Sequence, residues 1–386
     1  MKVIPHSRQS IDSADIQAVA EVLKSDIITQ GDLLLRFEKA LAKYCGSKYA
    51  VCVSSATAGL HLGCLCAGLR KGKEAITSPI TFLATANAAL YTGADVVFAD
   101  IDYETADIDP AQIEKKITKK TGAILPVHFG GLPCDMPRIS AMAKAKGIAV
   151  IEDASHALGA AYKCKGRWIK VGSCKHSDMT VLSFHVLKNI TTGEGGAVTT
   201  NSRDMYEKLR ALRSHGVYKG PDIKKRYGPW YYEMRHIGFN YRITDFQCAL
   251  GLSQLGKADR FLREKRAVAA IYDKAFEGIK GVATPVFARD KRYAFHLYVL
   301  RIDFDKIRMD RRDLMNSLAR RGIMTQVHYI PVYRQPYYKK RYSYSARNFP
   351  ESEAYYKRAL SIPLYNGISK KDAYRVVEAL KALLGA

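Results

Sequence analysis

Residues 49–69, YAVCVSSATAGLHLGCLCAGL, form the stretch that decides the predicted fold. Its first five residues, Tyr49–Val53, are rich in residues that favour a short, buried strand. The apolar residues that follow recur at helical spacing, which predicts a helix over residues 57–69. A strand that leads directly into a helix is the basic unit of α/β folds.

The same alternation continues downstream of this unit. We predict strands at residues 75–78, 96–101, 123–129 and 148–152. We predict helices at residues 82–91, 110–119 and 137–146, the second of which begins with proline. This order is typical of an α/β domain with a mainly parallel sheet and helices on both faces. Active sites in such sheets lie beyond the carboxyl ends of the strands, so the residues after Val53, Ile76 and Glu152 are the first candidates.

The pattern changes beyond Gly172. We predict short strands at residues 181–184 and 196–200, and a long loop at residues 218–235. A helix near residues 245–276 would link a large domain, residues 1–255, to a smaller α/β domain, residues 256–386. The elements expected in the smaller domain are helices at residues 311–321 and 370–384 and strands at residues 296–302 and 324–329.

Composition limits the class of protein. The chain has 386 residues, without the run of about 18 apolar residues that a membrane span needs and without a secretory signal at its start, so we expect a cytoplasmic protein. The cysteines form no C-x-x-C pair, which favours buried reduced thiols over disulfides and leads us to expect no metal site.

The formal net charge of +24 is scattered along the chain. Scattered charge favours a solvated surface, and binding of a polyanion such as nucleic acid is the alternative.

The strongest local pattern is residues 183–196, SFHVLKNITTGEGG. It places a single lysine, Lys188, between a predicted strand and a glycine-rich turn, where a ligand can approach the backbone closely. A lysine that forms a Schiff base must be reachable and must serve both as nucleophile and as proton carrier. The alternative is an ordinary surface lysine in a hairpin loop.

A second pattern lies at the end of a predicted buried strand, where Asp153 and His156 follow Glu152. A carboxylate at this edge suits the ring nitrogen of pyridoxal phosphate (PLP), because pairing keeps that nitrogen protonated. Asp153 could instead cap a following helix. His156 would lie on the same face of a helical turn and contact the cofactor, or serve as a structural histidine.

Two weaker patterns complete the candidate site. Residues 54–59, SSATAG, open the first predicted helix, where small residues leave backbone N–H groups free to bind a phosphate. A plain N-cap by Ser55 is the alternative. Phe82 follows a strand end and could lie flat on a pyridine ring, although most such aromatic side chains belong to the core.

These residues also carry a resemblance to a known family. The ordered motifs SSATAGLH, SPITFLATAN, VHFGG, EDASHALG, SFHVLKNITTGEGGAV, LRSHG and GFNYRITDFQCALGLSQL resemble the DegT/DnrJ/EryC1/StrS sugar aminotransferases, over nearly the whole chain. The resemblance implies PLP-dependent transferase fold type I, as in aspartate aminotransferase. The segments at residues 4–31, 78–87 and 326–333 look most similar to the branch that makes UDP-4-amino-4,6-dideoxy-N-acetyl-β-L-altrosamine on the route to pseudaminic acid.

The resemblance implies a role for each matching residue. Lys188 matches the Schiff-base lysine and Asp153 the partner of the pyridine nitrogen. The other cofactor-binding matches are His156 beside the ring, Phe82 stacked on it, and Ala56, Thr57 and Ser183 around the phosphate. Asn240 matches a residue that reaches the phosphate and the substrate from a neighbouring subunit, which implies a homodimer. The remaining substrate-binding matches are His6, Asp26, Ile27, Ile28, Thr29, Gln326, Val327, His328 and Tyr329.

The implied reaction moves the amino group of L-glutamate to C4 of a UDP-linked keto-sugar. Relatives that dehydrate their substrate carry histidine in place of the lysine, so Lys188 favours amination.

The chain departs from many relatives by lacking proline near Val186 and Asn189, and by carrying His6 where tyrosine is common. Alternatives are another nucleotide-sugar 4- or 3-aminotransferase, of the perosamine or 4-amino-arabinose type, and a basic regulatory or nucleic-acid-binding protein on the same fold.

Overall fold

The computed structural model describes residues 2–307 and 309–385. Its helices are α1 (Ser13–Leu23), α2 (Asp32–Cys45), α3 (Ala56–Cys66), α4 (Leu83–Tyr91), α5 (Pro110–Lys116), α6 (Met136–Ala145), α7 (Arg203–Arg213), α8 (Pro221–Tyr227), α9 (Asp245–Phe276), α10 (Phe304–Ile307), α11 (Arg311–Arg320), α12 (Pro336–Arg341), α13 (Pro350–Arg358) and α14 (Lys370–Leu384). Within these ranges, no helix is both long enough and apolar enough to cross a membrane.

The strands are β1 (Tyr49–Val53), β2 (Glu74–Thr77), β3 (Asp95–Phe98), β4 (Thr121–Leu125), β5 (Ala149–Asp153), β6 (Ala161–Cys164), β7 (Arg167–Lys170), β8 (Met179–Ser183), β9 (Gly196–Thr200), β10 (Val217–Tyr218), β11 (Glu233–Met234), β12 (Val282–Ala283), β13 (Lys291–Arg292), β14 (Tyr298–Ile302) and β15 (Ala359–Ile362). Seven of them form the main sheet, in the order β1-β9-β8-β5-β4-β2-β3. The pairs from β8 to β3 are parallel, whereas β9 runs antiparallel to both of its neighbours. The predicted α/β fold with a mainly parallel sheet is therefore confirmed.

Both faces of this sheet are covered. In β1, Val51 and Val53 pack in one hydrophobic cluster, while Ala50 and Cys52 pack in another. Alternate residues of a strand point to opposite faces, so each cluster occupies one face of the sheet. The interior strands β8 and β9 are buried along their whole length, as expected for a sheet between two layers of helices.

Helix α3 begins where the sequence places it, because Ser55 is its N-cap and accepts a hydrogen bond from the Ala58 N–H. A Cβ on Gly59 would lie 3.0 Å from Val181, so this glycine lets the helix pack closely on the sheet. The helix ends at Cys66 rather than at residue 69, since Gly68 adopts a left-handed φ of 77° that stops it.

The C-terminal part has its own antiparallel sheet, β12-β14-β15, and its own hydrophobic cluster. Helix α9 spans both parts: Cys248 packs in the core of the main sheet, and Tyr272 packs in the C-terminal cluster. Ile4 joins the C-terminal cluster and bridges to Ile323. The predicted domain boundary at residue 255 falls inside α9, and the division into two domains stays a prediction.

Two predicted elements differ from the structure. Residues 324–329 do not form a strand, because Gln326 makes only an isolated bridge to Ser361. Residues 218–235 are not one long loop, since they contain α8, which begins with Pro221, and β11, which pairs with β10. Proline is favoured in the first turn of a helix, so Pro221 marked a helix start rather than a break.

A buried ion pair holds β1 in place next to α2. The Arg213 side chain donates to Glu38 Oε1 at 2.6 Å and to the Cys52 carbonyl at 2.7 Å, and Glu38 Oε1 also accepts from the Cys52 N–H. Less than one tenth of either charged side chain is exposed. The pair therefore fixes the strand that leads into α3.

We predict that Glu38→Ala lowers the free energy of unfolding by about 3–5 kcal/mol, because it leaves the Arg213 charge buried and unpaired. Urea denaturation followed by circular dichroism measures the change. The matched control is Lys357→Ala, which breaks an exposed ion pair with Asp305 and should change the free energy by less than about 1 kcal/mol. Equal effects of the two substitutions would contradict the prediction.

Candidate active site

A cavity of about 480 Å³ lies at the carboxyl edge of the main sheet. Residues that follow β1, β5 and β8 line it, together with residues from the N-terminal segment and the C-terminal part. A groove of about 530 Å³ lies on the surface near Arg334 and Glu353, but those two side chains are paired with each other. The cavity at the sheet edge is lined by the buried side chains of Asp153 and His156 and by Lys188, whose pKa is lowered, so it is the candidate site.

Lys188 lies in the turn after β8 and extends into this cavity. The loss of hydration lowers the pKa of its amine to about 8, against a partly offsetting attraction from Asp153. Lys188 Nζ lies 3.4 Å from His296 Nε2. An amine with this pKa is partly neutral near pH 7–8, as a nucleophile or proton acceptor must be.

Asp153 is the last residue of β5 and is buried. Its Oδ2 accepts a hydrogen bond from Thr85 Oγ1 at 2.6 Å, and its Oδ1 accepts one from the Ser155 N–H at 3.0 Å. A turn rather than a helix follows the strand, so the alternative of a helix-capping aspartate is wrong. Thr85 in turn lies 2.8 Å from Thr81, which extends the chain of hydroxyl groups behind the carboxylate.

Neutral histidines surround the amine. The rings of His156 and His296 lie 4.2 Å apart, and Tyr329 Oη lies 3.3 Å from His156 Nε2. Burial lowers the pKa of both histidines well below the usual value, and the charge of Lys188 lowers it further. Both imidazoles are therefore neutral at physiological pH, where each ring has one donor and one acceptor nitrogen.

A second pair of histidines lines the cavity. The rings of His6 and His328 lie 5.1 Å apart, and His328 Nδ1 lies 2.8 Å from Ser361 Oγ. Burial lowers the pKa of His6 to about 4 and that of His328 to about 3. This pair thus presents neutral hydrogen-bonding groups, rather than positive charge, to whatever enters the cavity.

The start of α3 forms another wall of the cavity. Helix geometry leaves the N–H groups of Ala56 and Thr57 without acceptors inside the helix, while Ser55 caps the N–H of Ala58. The N-cap alternative for Ser55 is therefore correct, and it leaves the first two N–H groups free. A Cβ on Gly196 would lie 2.6 Å from the Ala56 nitrogen, so only glycine lets β9 pass this close to the helix start.

Most of the predicted site residues meet in this cavity. Those that line it are His6, Ala56, Thr57, Phe82, Asp153, His156, Ser183, Lys188, Gln326, His328 and Tyr329. Those that do not are Asp26, Ile27, Ile28, Thr29, Val327 and Asn240. Their predicted roles, like those of the lining residues, stay predictions.

The residues outside the cavity lie at the surface of the single chain. Thr29 bridges to Thr244, just before α9, and 60% of Ile27 is exposed. Asn240 is exposed and bridges to Ser214. Asn240 was predicted to act on a neighbouring subunit, so its distance from the cavity of its own chain agrees with that expectation without testing it.

Two side chains that contact Lys188 and Asp153 were missed by the sequence analysis. His296 stands at the start of a predicted strand, and Thr85 lies within a predicted helix. Both reach the site only through contacts with residues far away in the chain, 108 residues for His296 and 68 for Thr85. The sequence held a signal for His296 alone, because it is a histidine within an otherwise apolar run, residues 293–300.

Comparison with known proteins identifies the family. Residues 9–381 match the DegT/DnrJ/EryC1/StrS aminotransferase family. The chain belongs to this family. Two relatives align over 99% of the chain: SpsC, a spore coat polysaccharide biosynthesis protein of Bacillus subtilis (42% identity, 97% of its length), and a UDP-4-amino-4,6-dideoxy-N-acetyl-beta-L-altrosamine transaminase of Campylobacter jejuni (40% identity, 98% of its length).

Solved structures extend this result to the fold and the cofactor. Helicobacter pylori PseC, an aminotransferase of pseudoaminic acid biosynthesis, has a TM-score of 0.90 and 32% identity, and the alignment covers both chains fully. The Streptococcus pneumoniae sugar aminotransferase Spr1654 in its PLP-form has a TM-score of 0.90 and 28% identity over 99% of both chains. The protein is therefore a PLP-dependent sugar aminotransferase.

We predict that Gly196→Ala weakens PLP binding about tenfold or more, because the new Cβ would push the N-terminus of α3 away from its position. Titration of the apo-protein with PLP, followed by absorbance, measures the affinity. Gly256→Ala is the matched control, since a Cβ there meets nothing within 4 Å. Unchanged affinity in the Gly196 variant would show that this wall of the cavity does not bind the cofactor.

Proposed function

We propose that this aminotransferase moves the amino group of L-glutamate to C4 of a UDP-linked 4-keto-6-deoxy-N-acetylhexosamine. The product would be UDP-4-amino-4,6-dideoxy-N-acetyl-β-L-altrosamine, a precursor of pseudaminic acid. The observation that carries the aminotransferase part is the Lys188 amine, whose pKa is lowered and which shares one cavity with Asp153. The choice of sugar is supported by the names of the Campylobacter relative and of the Helicobacter structure.

The cavity fits PLP in its volume and in its polar groups. The free N–H groups of Ala56 and Thr57, with the Ser183 hydroxyl, would hold the phosphate at a helix N-terminus. Lys188 would bond to the aldehyde, and Asp153 would pair with the ring nitrogen. About 480 Å³ is ample for a single-ring cofactor and leaves space for a substrate.

Two aromatic residues would complete the cofactor site. Phe82 has 58% of its surface exposed and lines the cavity, so its ring face is free to cover a pyridine ring. His156 Nδ1 is buried and has no hydrogen-bond partner in residues 2–307 and 309–385. A buried polar atom without a partner needs an explanation, and a cofactor beside the imidazole would supply one.

PLP supplies an electron sink, which allows nitrogen and a proton to move between an amino donor and a keto acceptor. Asp153 would hold a proton at the ring nitrogen. Its two hydrogen bonds, from Thr85 and the Ser155 N–H, keep the carboxylate from turning away. Lys188, with its pKa lowered to about 8, would accept the α-proton of L-glutamate and later deliver a proton to the sugar C4.

Other lining residues of the cavity would hold the sugar nucleotide. These residues are His6, Gln326, His328 and Tyr329, and the two histidines are neutral. Neutral donors and acceptors suit hydroxyl and acetamido groups, which carry no charge. Binding of the distant nucleotide would help to orient the ketone for reaction.

We also propose that the active form is a homodimer. Asn240 and the segment of Asp26, Ile27, Ile28 and Thr29 would act on the cavity of a partner subunit. The large exposed fractions of Ile27 and Ile28, 60% and 46%, support this proposal, because a second subunit would cover these apolar side chains.

We predict that the purified protein with L-glutamate aminates UDP-2-acetamido-2,6-dideoxy-β-L-arabino-hex-4-ulose faster than other UDP- and dTDP-linked 4-keto sugars. Mass spectrometry reports which sugar gains an amine, and NMR reports the position and configuration of the new C–N bond. Lys188→Ala should lower the rate by about 10³-fold, while Lys175→Ala, at an exposed lysine, should not.

The outcomes of this panel separate the candidate functions. Preference for another keto-sugar would contradict the proposed substrate. It would favour a role in the synthesis of a different polysaccharide, because the chain is also similar to the spore coat polysaccharide biosynthesis protein SpsC. Transfer of nitrogen by the Lys188→Ala variant at the wild-type rate would contradict the proposed role of the lysine.

A further inference from the structure

The residue next to Lys188 is buried, and its side chain makes three hydrogen bonds. The Asn189 side chain is 5% exposed, and its Nδ2 donates to the Leu158 carbonyl at 3.1 Å and to the Ala294 carbonyl at 3.2 Å. Its Oδ1 accepts a hydrogen bond from Lys265 Nζ. All hydrogen-bonding directions of this amide, except one lone pair of its oxygen, are therefore in use.

These contacts join the three segments that carry the polar groups of the site. Leu158 lies two residues after His156, Ala294 lies two residues before His296, and Asn189 directly follows Lys188. A shift of Asn189 would therefore change the position of the amine relative to both histidines. The local geometry of the cavity depends on this one amide.

Lys265 is the donor that completes the arrangement. It lies on α9, is 3% exposed, and its burial lowers its pKa to about 7. In the described part of the chain, the Asn189 oxygen is its only hydrogen-bond acceptor. Charged or neutral, a lysine amine has at least two N–H donors, so the contact persists in either state.

Packing alone does not account for a lysine at this position. A buried amine loses its hydration, and an apolar side chain of the same length would fill the space without that loss. The amine does what an apolar side chain cannot, because it determines which end of the Asn189 amide faces α9. The NH₂ end must then face the two carbonyl groups.

A residue of the C-terminal part also forms a hydrogen bond with Asn189. Asn366 Nδ2 donates to the Asn189 carbonyl at 3.3 Å, and Asn366 is itself buried. The turn that carries the amine is thus fixed on one side by α9 and on another by the segment after β15. Each contact joins residues far apart in the chain.

We propose that Lys265 is a positioning residue, which holds the Lys188 turn through Asn189 so that the Lys188 amine reaches the cofactor aldehyde. This inference rests on the proposed role of Lys188. Lys265 itself touches neither cofactor nor substrate, because it does not line the cavity. Lys265 would affect the position of the Lys188 amine, and not the chemical steps that follow.

The test measures how fast Lys188 becomes attached to the cofactor. Apo-protein is mixed with PLP and reduced with borohydride at timed intervals, and peptide mass spectrometry follows the labelled Lys188. Lys265→Met keeps the length and burial of the side chain and removes its N–H donors. We expect labelling to slow by about tenfold or more, since a small misplacement of a reacting group has effects of that size.

Matched variants separate positioning from general damage. Lys274→Met changes an exposed lysine on the same helix and should label at the wild-type rate. Lys265→Gln restores an uncharged N–H donor and should recover part of the lost rate. Asn366→Ala, which removes the other contact to Asn189, should also slow labelling, and it carries the test if the Lys265 variants do not fold.

Failure of this inference is distinguishable from failure of the proposed function. Wild-type labelling that misses Lys188 would overturn the proposed function itself. If wild-type Lys188 is labelled and Lys265→Met matches its rate, only the positioning role is overturned. A Gln variant as slow as the Met variant would likewise overturn it, because the hydrogen bond would then not be the cause.

Discussion

The site depends on keeping an amine and a carboxylate in one cavity without letting them neutralise each other. Burial drives Lys188 toward its neutral form, while the charge of Asp153 pulls its pKa back up only in part. In the described residues, no ion pair joins the two side chains; Asp153 is satisfied by Thr85 and the Ser155 N–H instead. In the proposed function, each group would thus bind a different atom of the cofactor.

The sheet makes this separation possible. Asp153 ends β5 and pairs in register with Val181 of the neighbouring strand β8, and Lys188 follows β8 by a turn of five residues. The antiparallel strand β9 then returns beside β1 and passes close to the start of α3. The amine, the carboxylate and the helix N-terminus are therefore held by neighbouring strands, and their relative positions are as rigid as the sheet.

The sequence was sufficient for features that depend on local patterns. The bounds of α9 and α14 coincide with the predicted ones, and the strand–helix alternation led to the correct fold. The residues at strand ends, Asp153 and Lys188, were found because a parallel sheet brings strand ends together. Cap and turn signals were less reliable: Pro221 begins a helix within a segment predicted to be a loop.

The remaining features depend on contacts between residues distant in the chain. Asn189 was noted only because it stands where relatives carry proline, and nothing in its neighbours indicates a contact with Lys265, 76 residues away. His296 and Thr85 were missed for the same reason. Asn240 lies outside the cavity of its own chain, and the role proposed for it requires a second subunit.

The most direct test of the central claim is the ionisation of Lys188 in the apo-enzyme. Competitive acetylation with a trace of acetic anhydride across a range of pH, quantified for the Lys188 peptide, reports the fraction of neutral amine. A lowered pKa moves the onset of reactivity to lower pH, so a midpoint near 8 is predicted. A midpoint near 10.5, the usual value for lysine, would contradict the account, because the amine would then be an ordinary solvated cation.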